Sequence, residues 1–369
     1  MNQYLIYVIP LFLFFIIFEM VADAITHKKV YKFEDTITNI SLGVGQQIIE
    51  ALIKTIFSFL FISVYKYSLF KIPDTIWTFL AVVLICDFIF YWFHRFSHTV
   101  NVLWAVHIVH HQSSEFNLSV SLRQPWLHKF AMFAFYIVIP FLGVSPAIMV
   151  LAFATQTFYQ FWLHTRFIGK LGIFEHVLVT PSHHRVHHGA NAIYINKNYG
   201  NTLIIWDKLF GTFQAEKEAV VFGVTQPFTS TNPIWANIYY WKELIVNTRS
   251  KKGFLNKLKT FFQKPGGTSR EKTVVAKEEN INAVPPWLKG YIIVQYVLTF
   301  LTACFLLFRQ DSFSLLWKVV SVIFIIWSLY SFSALMRKKK NSIFWELIRL
   351  VLFALLFYLW ITFGIYKPG

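Results

Sequence analysis

The stretch HRFSHTVNVLWAVHIVHH, residues 94–111, carries five histidines at the end of an apolar run. The stretch HHRVHH, residues 183–188, repeats its His-x-x-His-His spacing. Residues three and four apart share one face of a helix, so each stretch predicts a patch of neighbouring imidazoles. Twelve of the thirteen histidines fall between His94 and His188. Scattered core or surface histidines would not produce one spacing twice, and the pattern therefore predicts metal binding.

The predicted metal centre holds two ions and uses nitrogen ligands. Imidazole suits iron, copper, nickel and zinc, and eight or nine ligands are too many for one ion, so about four per ion are expected. The two cysteines, Cys86 and Cys304, lie far apart in apolar runs and form no thiolate motif. The predicted ligands are His94, His98, His107, His110, His111, His164, His184, His187 and His188. His128 and His176 stand alone and are expected to be structural.

Three further residues are expected to support these ligands. His183 precedes the second His-x-x-His-His group and is assigned a supporting role beside it. Gln160 lies four residues before His164 and shares its helix face, which is expected to look into the reaction chamber. Asn198 belongs to a polar and aromatic segment that is expected to close the site from the water side.

Two acids are candidate catalytic residues. Asp87 lies within an apolar run, on one helical stripe with Tyr91, His94 and His98. An acid inside a membrane span is costly and usually functional, so Asp87 is expected to lie behind the site and orient its neighbours. The alternative is a structural hydrogen bond to another helix. Glu115 follows the first histidine stretch and is expected to be a ligand or an acceptor behind one, a solvated surface acid being the alternative.

Composition predicts a membrane protein. The 369 residues are 56% hydrophobic and 14% charged, whereas a soluble domain is usually about a quarter charged. The net charge of +16 comes from short basic segments between apolar runs. This distribution is the orientation signal of a membrane protein and not the footprint of a nucleic-acid-binding domain.

The apolar runs predict an all-α integral membrane bundle of about eight spans. Two of the spans form a hairpin over residues 130–163, and the first run is expected to be retained, because its start lacks the basic residues of a signal peptide. Basic loops on the inner side place the histidines in the cytoplasm and both chain termini outside. A bacterial inner membrane and an endoplasmic reticulum membrane are both compatible with this topology.

The same pattern divides the chain into three regions. Residues 1–241 are predicted to form a membrane-embedded catalytic domain, with the histidine groups at 94–188. Residues 242–289 are rich in lysine and arginine and predict a cytoplasmic linker, partly an amphipathic helix on anionic lipid. Residues 290–369 are predicted to contain three further spans.

Two reactions fit such a site from the residues alone. Iron could activate dioxygen to break an unactivated C–H bond of a lipid, and zinc could activate water for hydrolysis. Imidazole serves both metals, so the spacing does not choose between them. The apolar bulk of the chain favours a substrate with a long alkyl chain, taken from the bilayer, in either case.

The histidine pattern resembles that of the integral-membrane fatty acid hydroxylase and sterol desaturase superfamily. Its His-x(3–4)-His, His-x-x-His-His and His-x-x-His-His boxes are matched at residues 94–98, 107–111 and 184–188. Within that superfamily, the segments WAVHIVHHQSSE (104–115), FWLHT (161–165) and TPSHHRVHHG (180–189) look like the alkylglycerol monooxygenase family.

The resemblance implies two iron ions and an enzyme that uses dioxygen and tetrahydrobiopterin to hydroxylate the alkyl carbon next to the ether oxygen of a glyceryl ether lipid. The product would fall apart into a fatty aldehyde and a glycerol derivative. The resemblance also implies a site role for Glu115, which matches a residue of the second-box motif. One alternative is a hydroxylase or desaturase of a sterol, fatty acid or sphingolipid chain with an external electron donor. The other is a zinc-dependent hydrolase or a metal-binding scaffold.

Overall fold

The computed structural model describes residues 3–226, 228–266, 284–309 and 312–362. The elements in these ranges are helices, and the only extended pairings are two isolated bridges, Leu178 with Leu203 and Gly189 with Phe222. The all-α prediction is therefore confirmed for the described part of the chain.

The α-helices in chain order are α1 (Gln3–Thr26), α2 (Phe33–Lys66), α3 (Ile76–Thr99), α4 (Asn101–Ala105), α5 (Ile108–His111), α6 (His128–Tyr136), α7 (Val138–Leu142), α8 (Pro146–Phe161), α9 (Pro181–His187), α10 (Ile205–Leu209), α11 (Pro233–Arg249), α12 (Phe254–Phe262), α13 (Pro286–Phe308), α14 (Leu315–Met336) and α15 (Ser342–Thr362). Short 3-10 helices cover Leu118–Leu122 and Gly172–His176.

Six helices of the described ranges are long and apolar enough to cross a membrane. They are α1, α2, α3, α13, α14 and α15. The hairpin is built from shorter pieces, because α6 and α7 together cover His128–Leu142 and α8 has 16 residues. The multi-pass prediction is confirmed, while the count of eight spans and the cytoplasmic side stay predictions.

The length of α2 explains how a membrane helix reaches the histidine site. Its 34 residues would extend about 51 Å, well beyond the ~30 Å hydrocarbon core. Its N-terminal part buries polar side chains of Thr38, Asn39 and Ser41, whereas Phe59 and Ile62 near its C-terminal end are exposed. The apolar end therefore fits lipid, and the polar end packs inside the protein.

Two apolar cores flank the site. One lies between α2, α13 and α14 and includes Ile48, Ile292 and Ile325. The other lies between α3 and the hairpin and includes Val82 and Ala152. The short helices α4 and α10 pack against α3, and α5 packs against α4, so the site lies at the end of a membrane-length helix.

The hairpin turn depends on one glycine. Gly143 ends α7 with φ +112°, a left-handed conformation that disfavours other residues. A β-carbon at this position would collide with the carbonyl group of Phe70. The glycine thus lets the hairpin pack against the loop before α3.

The basic segment is partly helical. In residues 242–266, α11 ends at Arg249 and α12 follows after a short turn, and both helices pack against α4. Residues 267–283 of the predicted linker and residues 363–369 of the predicted C-terminal region lie outside the described residues. The three region boundaries stay predictions.

Candidate metal centre

All nine predicted ligands converge into two clusters. Within each cluster the candidate ligand atoms lie within 4.8 Å of one another, close enough to surround a single ion. The five-histidine cluster contains His94, His98, His107, His111 and His187. The four-histidine cluster contains His110, His164, His184 and His188. The expected two ions therefore have two separate candidate places in the fold.

Each His-x-x-His-His group is divided between the clusters. His107 and His111, four residues apart, belong to the five-histidine cluster, whereas His110 belongs to the four-histidine cluster. In the group at α9 the assignment is the opposite: His184 and His188 belong to the four-histidine cluster, and His187 belongs to the five-histidine cluster. Helical residues four apart point in similar directions, and adjacent residues are rotated by about 100°. A single turn at α5 or α9 can therefore serve both clusters.

Neighbouring ring nitrogens are spaced like ligands of one ion. In the five-histidine cluster the Nε2–Nε2 distances are 3.1 Å for His94–His107 and for His107–His111. In the four-histidine cluster they are 3.3 Å for His110–His164, 3.0 Å for His164–His184 and 3.2 Å for His184–His188. Nitrogens bound at about 2.0–2.1 Å from an ion, with angles between octahedral and tetrahedral, lie about 2.8–3.4 Å apart.

The outer nitrogens of four ligands set the orientation of their rings. Nδ1 pairs with a backbone carbonyl in His94 (Tyr199, 2.8 Å), His110 (Arg123, 3.1 Å), His164 (Gln160, 3.1 Å) and His187 (Lys197, 3.0 Å). A carbonyl oxygen can only accept, so Nδ1 carries the hydrogen and Nε2 of the neutral ring keeps a lone pair. Each of these rings therefore offers its Nε2 to a metal.

The contact between His110 and His164 fits a bound cation. Both residues use Nδ1–H on a carbonyl, so their Nε2 lone pairs face each other at 3.3 Å with no hydrogen between them. Such a contact is unfavourable in the protein alone and becomes favourable when both lone pairs bind one cation. The Nε2 atoms of His98 and His187 are also buried, with no hydrogen-bond partner in the described part of the chain. The residues present therefore fit a metal centre.

Burial keeps the imidazoles in the form that binds metal. It lowers the pKa of His110 to about 4, although the bond to the Arg123 carbonyl opposes this shift. Burial, reinforced by neighbouring imidazoles, lowers the pKa well below its ordinary value in His107, His111, His184, His187 and His188. Metal binding needs an unprotonated nitrogen, so the histidines of both clusters are in the form that binds metal at neutral pH.

Asp87 lies on α3, two helical turns before His94. Its carboxylate accepts the backbone N–H groups of Thr202 and Leu203 at 2.8 and 3.1 Å and the indole N–H of Trp206 at 2.9 Å. These bonds join α3 to the segment that follows Tyr199. The bond to Trp206 in α10 is a hydrogen bond to another helix, as in the structural alternative, and the expected role of Asp87 in the site stays a prediction.

Asp207 supports the same segment, and sequence reasoning does not single it out. Its carboxylate accepts the backbone N–H groups of Tyr199 and Gly200 at 2.7 Å each and the hydroxyl of Thr212 at 2.7 Å. The Tyr199 carbonyl holds Nδ1–H of His94, so Asp207 orients this ligand through one peptide unit. The one sequence signal is an acid within the apolar segment TLIIWDKLF, residues 202–210.

Arg123 braces the first His-x-x-His-His group. The side chain is 2% exposed and donates to the Val109 carbonyl, the Asn39 amide oxygen and the Gln112 amide oxygen at 2.8, 2.8 and 3.3 Å. Its own carbonyl accepts from His110. Spacing in the sequence assigns Arg123 no mechanism, because its partners lie on α2 and α5.

The three expected supporting residues differ in what they contact, and only Gln160 bonds a predicted ligand. His183 Nδ1 accepts the backbone N–H of Thr180 at 3.4 Å and so caps α9. The Asn198 amide donates to the His183 carbonyl at 3.1 Å. The Gln160 contribution comes from its backbone carbonyl, which accepts from His164.

Glu115 is held by ion pairs and is not a member of either histidine cluster. Its carboxylate lies 2.7 Å from Lys32 Nζ and 3.3 Å from an Arg166 guanidinium nitrogen. Burial raises the pKa of Glu115, and Lys32 opposes the shift. The next residue, Phe116, stacks on the His164 ring with centroids 5.6 Å apart. Glu115 is thus adjacent in sequence to the wall of the four-histidine cluster.

Comparison with known proteins identifies the family. The fatty acid hydroxylase family model matches residues 79–212, which contain both clusters. Alkylglycerol monooxygenase of Homo sapiens is 35% identical over 378 residues, covering 97% of this chain and 82% of the relative. The chain belongs to the alkylglycerol monooxygenase family. The enzyme of Danio rerio is 34% identical with the same coverage, and that of Xenopus tropicalis is 38% identical over 69% of this chain and 57% of the relative. No solved structure gives a significant match.

Membership of the alkylglycerol monooxygenase family makes this protein a membrane oxidoreductase that acts on lipid. The similarity extends far beyond the histidine groups, since it reaches 97% of the chain. The superfamily resemblance drawn from the histidine boxes is therefore confirmed.

A cavity of about 220 Å³ opens onto the two histidine clusters of this alkylglycerol monooxygenase family member. Its inner wall includes His98, His111, His187 and His188, so it touches both clusters. Its lining also includes Trp104, Tyr239, Tyr240, Glu243 and Gln263. The lining combines aromatic and aliphatic side chains with amides and one carboxylate, so the cavity can hold a ligand that has both apolar and polar parts.

Proposed function

We propose that this enzyme cleaves glyceryl ether lipids by hydroxylating the alkyl carbon bonded to the ether oxygen. One oxygen atom of dioxygen enters the C–H bond, and the other leaves as water with two electrons and two protons from an external reductant. In the resulting hemiacetal, the bond between that carbon and the ether oxygen breaks, and the hydroxyl proton passes to the departing oxygen. The products are a fatty aldehyde and a glycerol derivative. Two all-histidine clusters in a chain similar throughout to alkylglycerol monooxygenases carry this proposal.

Two iron ions are proposed as the metals, one in each cluster. When bound, iron would supply the redox chemistry that activates dioxygen, which zinc lacks. The imidazole set also accepts zinc, so zinc could occupy isolated protein without supporting the oxygenase reaction.

The chain's own residues orient the ligands and exclude water. Carbonyl groups of Tyr199 and Arg123 fix the rings of His94 and His110 through Nδ1. Phe116 contacts the four-histidine cluster and stacks on Phe222, with ring centroids 4.8 Å apart. This aromatic wall supports a dry chamber, in which a reactive oxidant is directed to the lipid and not to water.

The lipid and the reductant are proposed to approach from different directions. The histidines near the end of α3 lie where this candidate span ends, so an alkyl chain can reach them from the bilayer. The cavity beside the histidine clusters is proposed to admit the reductant, for which family membership suggests tetrahydrobiopterin. The faces of Trp104 and Tyr240 and the carboxylate of Glu243 suit a flat, hydrogen-bonding heterocycle.

The active site is proposed to face the cytoplasm. The host membrane is proposed to be a bacterial inner membrane or that of the endoplasmic reticulum. Lys28, Lys29 and Lys32 lie between α1 and α2, on the side of the membrane where the polar end of α2 meets the site. An excess of basic residues in short loops marks the cytoplasmic side. Protease protection of a tag inserted after Lys28 would test this orientation.

Aldehyde release provides the direct test of the function. Purified protein reconstituted in lipid is supplied with a 1-O-alkylglycerol, dioxygen and tetrahydrobiopterin, and the fatty aldehyde is trapped and measured. A 1-acylglycerol of the same chain length serves as the matched control. Aldehyde formed only from the ether, and only with the pteridine, supports the proposal. A hydroxylated or desaturated lipid without aldehyde, or turnover with zinc and no iron, contradicts it.

A further inference from the structure

The helix α12 turns large apolar side chains away from the protein. Phe254, Leu255, Leu258 and Phe262 are 76%, 69%, 44% and 62% exposed. At the helical repeat these four positions fall within an arc of about 100°. Thr260, on the opposite side, is 1% exposed and faces the protein. The outward face of α12 is therefore apolar, and its inward face is polar.

Lysines border this apolar arc on both sides. Around the helix axis, Lys257 lies about 60° outside one edge of the arc, and Lys259 lies about 40° outside the other edge. Residues 251–266 contain five lysines and no acidic residue. An apolar stripe between basic edges is the pattern of a helix that lies in a membrane interface.

Hydrogen bonds set the depth of α12. Asn101 follows α3, a candidate span that ends at Thr99. The Asn101 backbone N–H donates to the Gln263 carbonyl at 2.9 Å, and its side-chain amide donates to the Thr260 carbonyl at 2.9 Å. The Tyr240 hydroxyl donates to Asn101 Oδ1, which adds α11 to the same junction. α12 is thus tied to the level at which α3 leaves the bilayer.

We propose that α12 is an interfacial anchor that binds an anionic lipid leaflet. Its apolar arc enters the outer part of the acyl chains, and its lysines lie among anionic headgroups. A water-facing surface would expose these four large side chains together, which is unusual in soluble proteins. Neutral lipid would satisfy the apolar arc but not the lysines, so charge complementarity favours an anionic leaflet.

The anchor would place the mouth of the cavity at the membrane boundary. Gln263, Pro265 and Gly266 follow α12 directly and line the same cavity as His98 and His111. Lipid that holds α12 would therefore also hold one wall of the passage to the metal centre. This inference concerns the membrane surface and does not depend on the reaction or on the metal.

Spin labels in the full-length protein test this placement. A nitroxide is attached at Leu258→Cys and, as the matched control, at Asn256→Cys, about 160° away on the same helix. Cys304→Ala removes the half-buried native thiol, and Cys86 is fully buried. The protein is reconstituted in phosphatidylcholine bilayers, with and without phosphatidylglycerol. Accessibility to oxygen, which concentrates among acyl chains, is compared with accessibility to a water-soluble nickel chelate.

We expect the ratio of oxygen to nickel accessibility to be severalfold higher at position 258 than at position 256. We also expect it to rise at 258 when phosphatidylglycerol is added and the rise to disappear in Lys257→Gln/Lys259→Gln. Equal nickel accessibility at both positions would overturn the proposal. Shielding of position 258 from both reagents would also overturn the proposal, since it would mean that protein, such as a second copy of the chain, covers this face. An equal depth in both lipid mixtures would overturn the anionic preference.

Discussion

Asp207 and His94 are joined through a single peptide unit. Asp207 accepts the Gly200 backbone N–H at 2.7 Å, and the carbonyl of the same peptide unit, that of Tyr199, pairs with His94 Nδ1 at 2.8 Å. Asp207 is fully buried. A carboxylate that touches no imidazole therefore determines how one ligand of the five-histidine cluster presents its Nε2.

Replacement of Asp207 should disturb the metal site without removing a ligand. In Asp207→Asn one acceptor oxygen becomes an amide nitrogen, so a buried N–H of Tyr199 or Gly200 loses its partner at a cost of about 1–3 kcal/mol. Because supporting residues of this kind affect metal affinity or activity by about 10–100-fold, we expect a comparable loss. Metal content per protein and aldehyde release are the measurements. Asp74→Asn, at an exposed position before α3, is the control, and wild-type metal content and activity in Asp207→Asn would refute the role.

His110→Ala and His187→Ala should each remove activity with little loss of expression. In each His-x-x-His-His group two histidines belong to one cluster and the third belongs to the other cluster. His110 and His187 are these third histidines. Loss of His110 leaves three histidines in the four-histidine cluster, and we expect turnover to fall by at least about 100-fold. Expression should persist because His110→Ala removes an unfavourable lone-pair contact with His164, and His187→Ala removes a buried Nε2 that has no partner in the described part of the chain. His176→Ala, exposed and outside both clusters, is the control. Retained turnover would rule out the ligand role of the residue changed.

Chelation should separate the oxygenase from a hydrolase. Removal of metal from the purified protein should abolish aldehyde release, and ferrous iron should restore it, whereas zinc should not, because zinc has no redox chemistry. Metal analysis should approach two iron ions per active chain. Restoration by zinc alone would instead favour the hydrolase.

Glu115→Gln should leave the metal content unchanged. The carboxylate pairs with Lys32 and Arg166, and no imidazole is among its partners. Lys32 is half exposed, so the loss of this ion pair should have only a small effect on stability. Metal analysis and thermal unfolding of Glu115→Gln measure both effects. Loss of metal from this variant would mean that Glu115 is a ligand in the loaded enzyme.

The pair between Glu216 and Arg185 should contribute stability that depends on pH. Burial raises the pKa of Glu216, but hydrogen bonds from Arg185 and Ser182 outweigh it and hold the pKa below its ordinary value of 4.5. A lowered carboxyl pKa stabilises the folded state above the unfolded-state pKa, and this contribution is lost as the pH falls through the folded-state pKa. The melting temperature of wild type should therefore exceed that of Glu216→Gln near neutrality, and the difference should shrink below pH 4.5. A constant difference would contradict this assignment.

Much of the architecture and the ligand set could be predicted from local patterns. The run before His94 predicts α3, and the spacing of His107, His110 and His111 predicts neighbouring imidazoles. The sequence also predicted that the basic segment contains an amphipathic helix. These properties depend on residues a few positions apart, and so they are visible without the fold.

The sequence by itself determined that this chain is an apolar helical bundle with histidines grouped for metal binding, because hydrophobicity and helical periodicity are local properties. Only the tertiary structure decided how the two His-x-x-His-His groups are divided between the clusters and which nitrogen faces the interior. It also brought Asp207 and Arg123 behind the ligands and fixed α12 at the end of α3. These features depend on contacts between distant residues, such as His94 and Tyr199, which lie 105 positions apart. No local pattern encodes such a contact, since it exists only after the helices have packed.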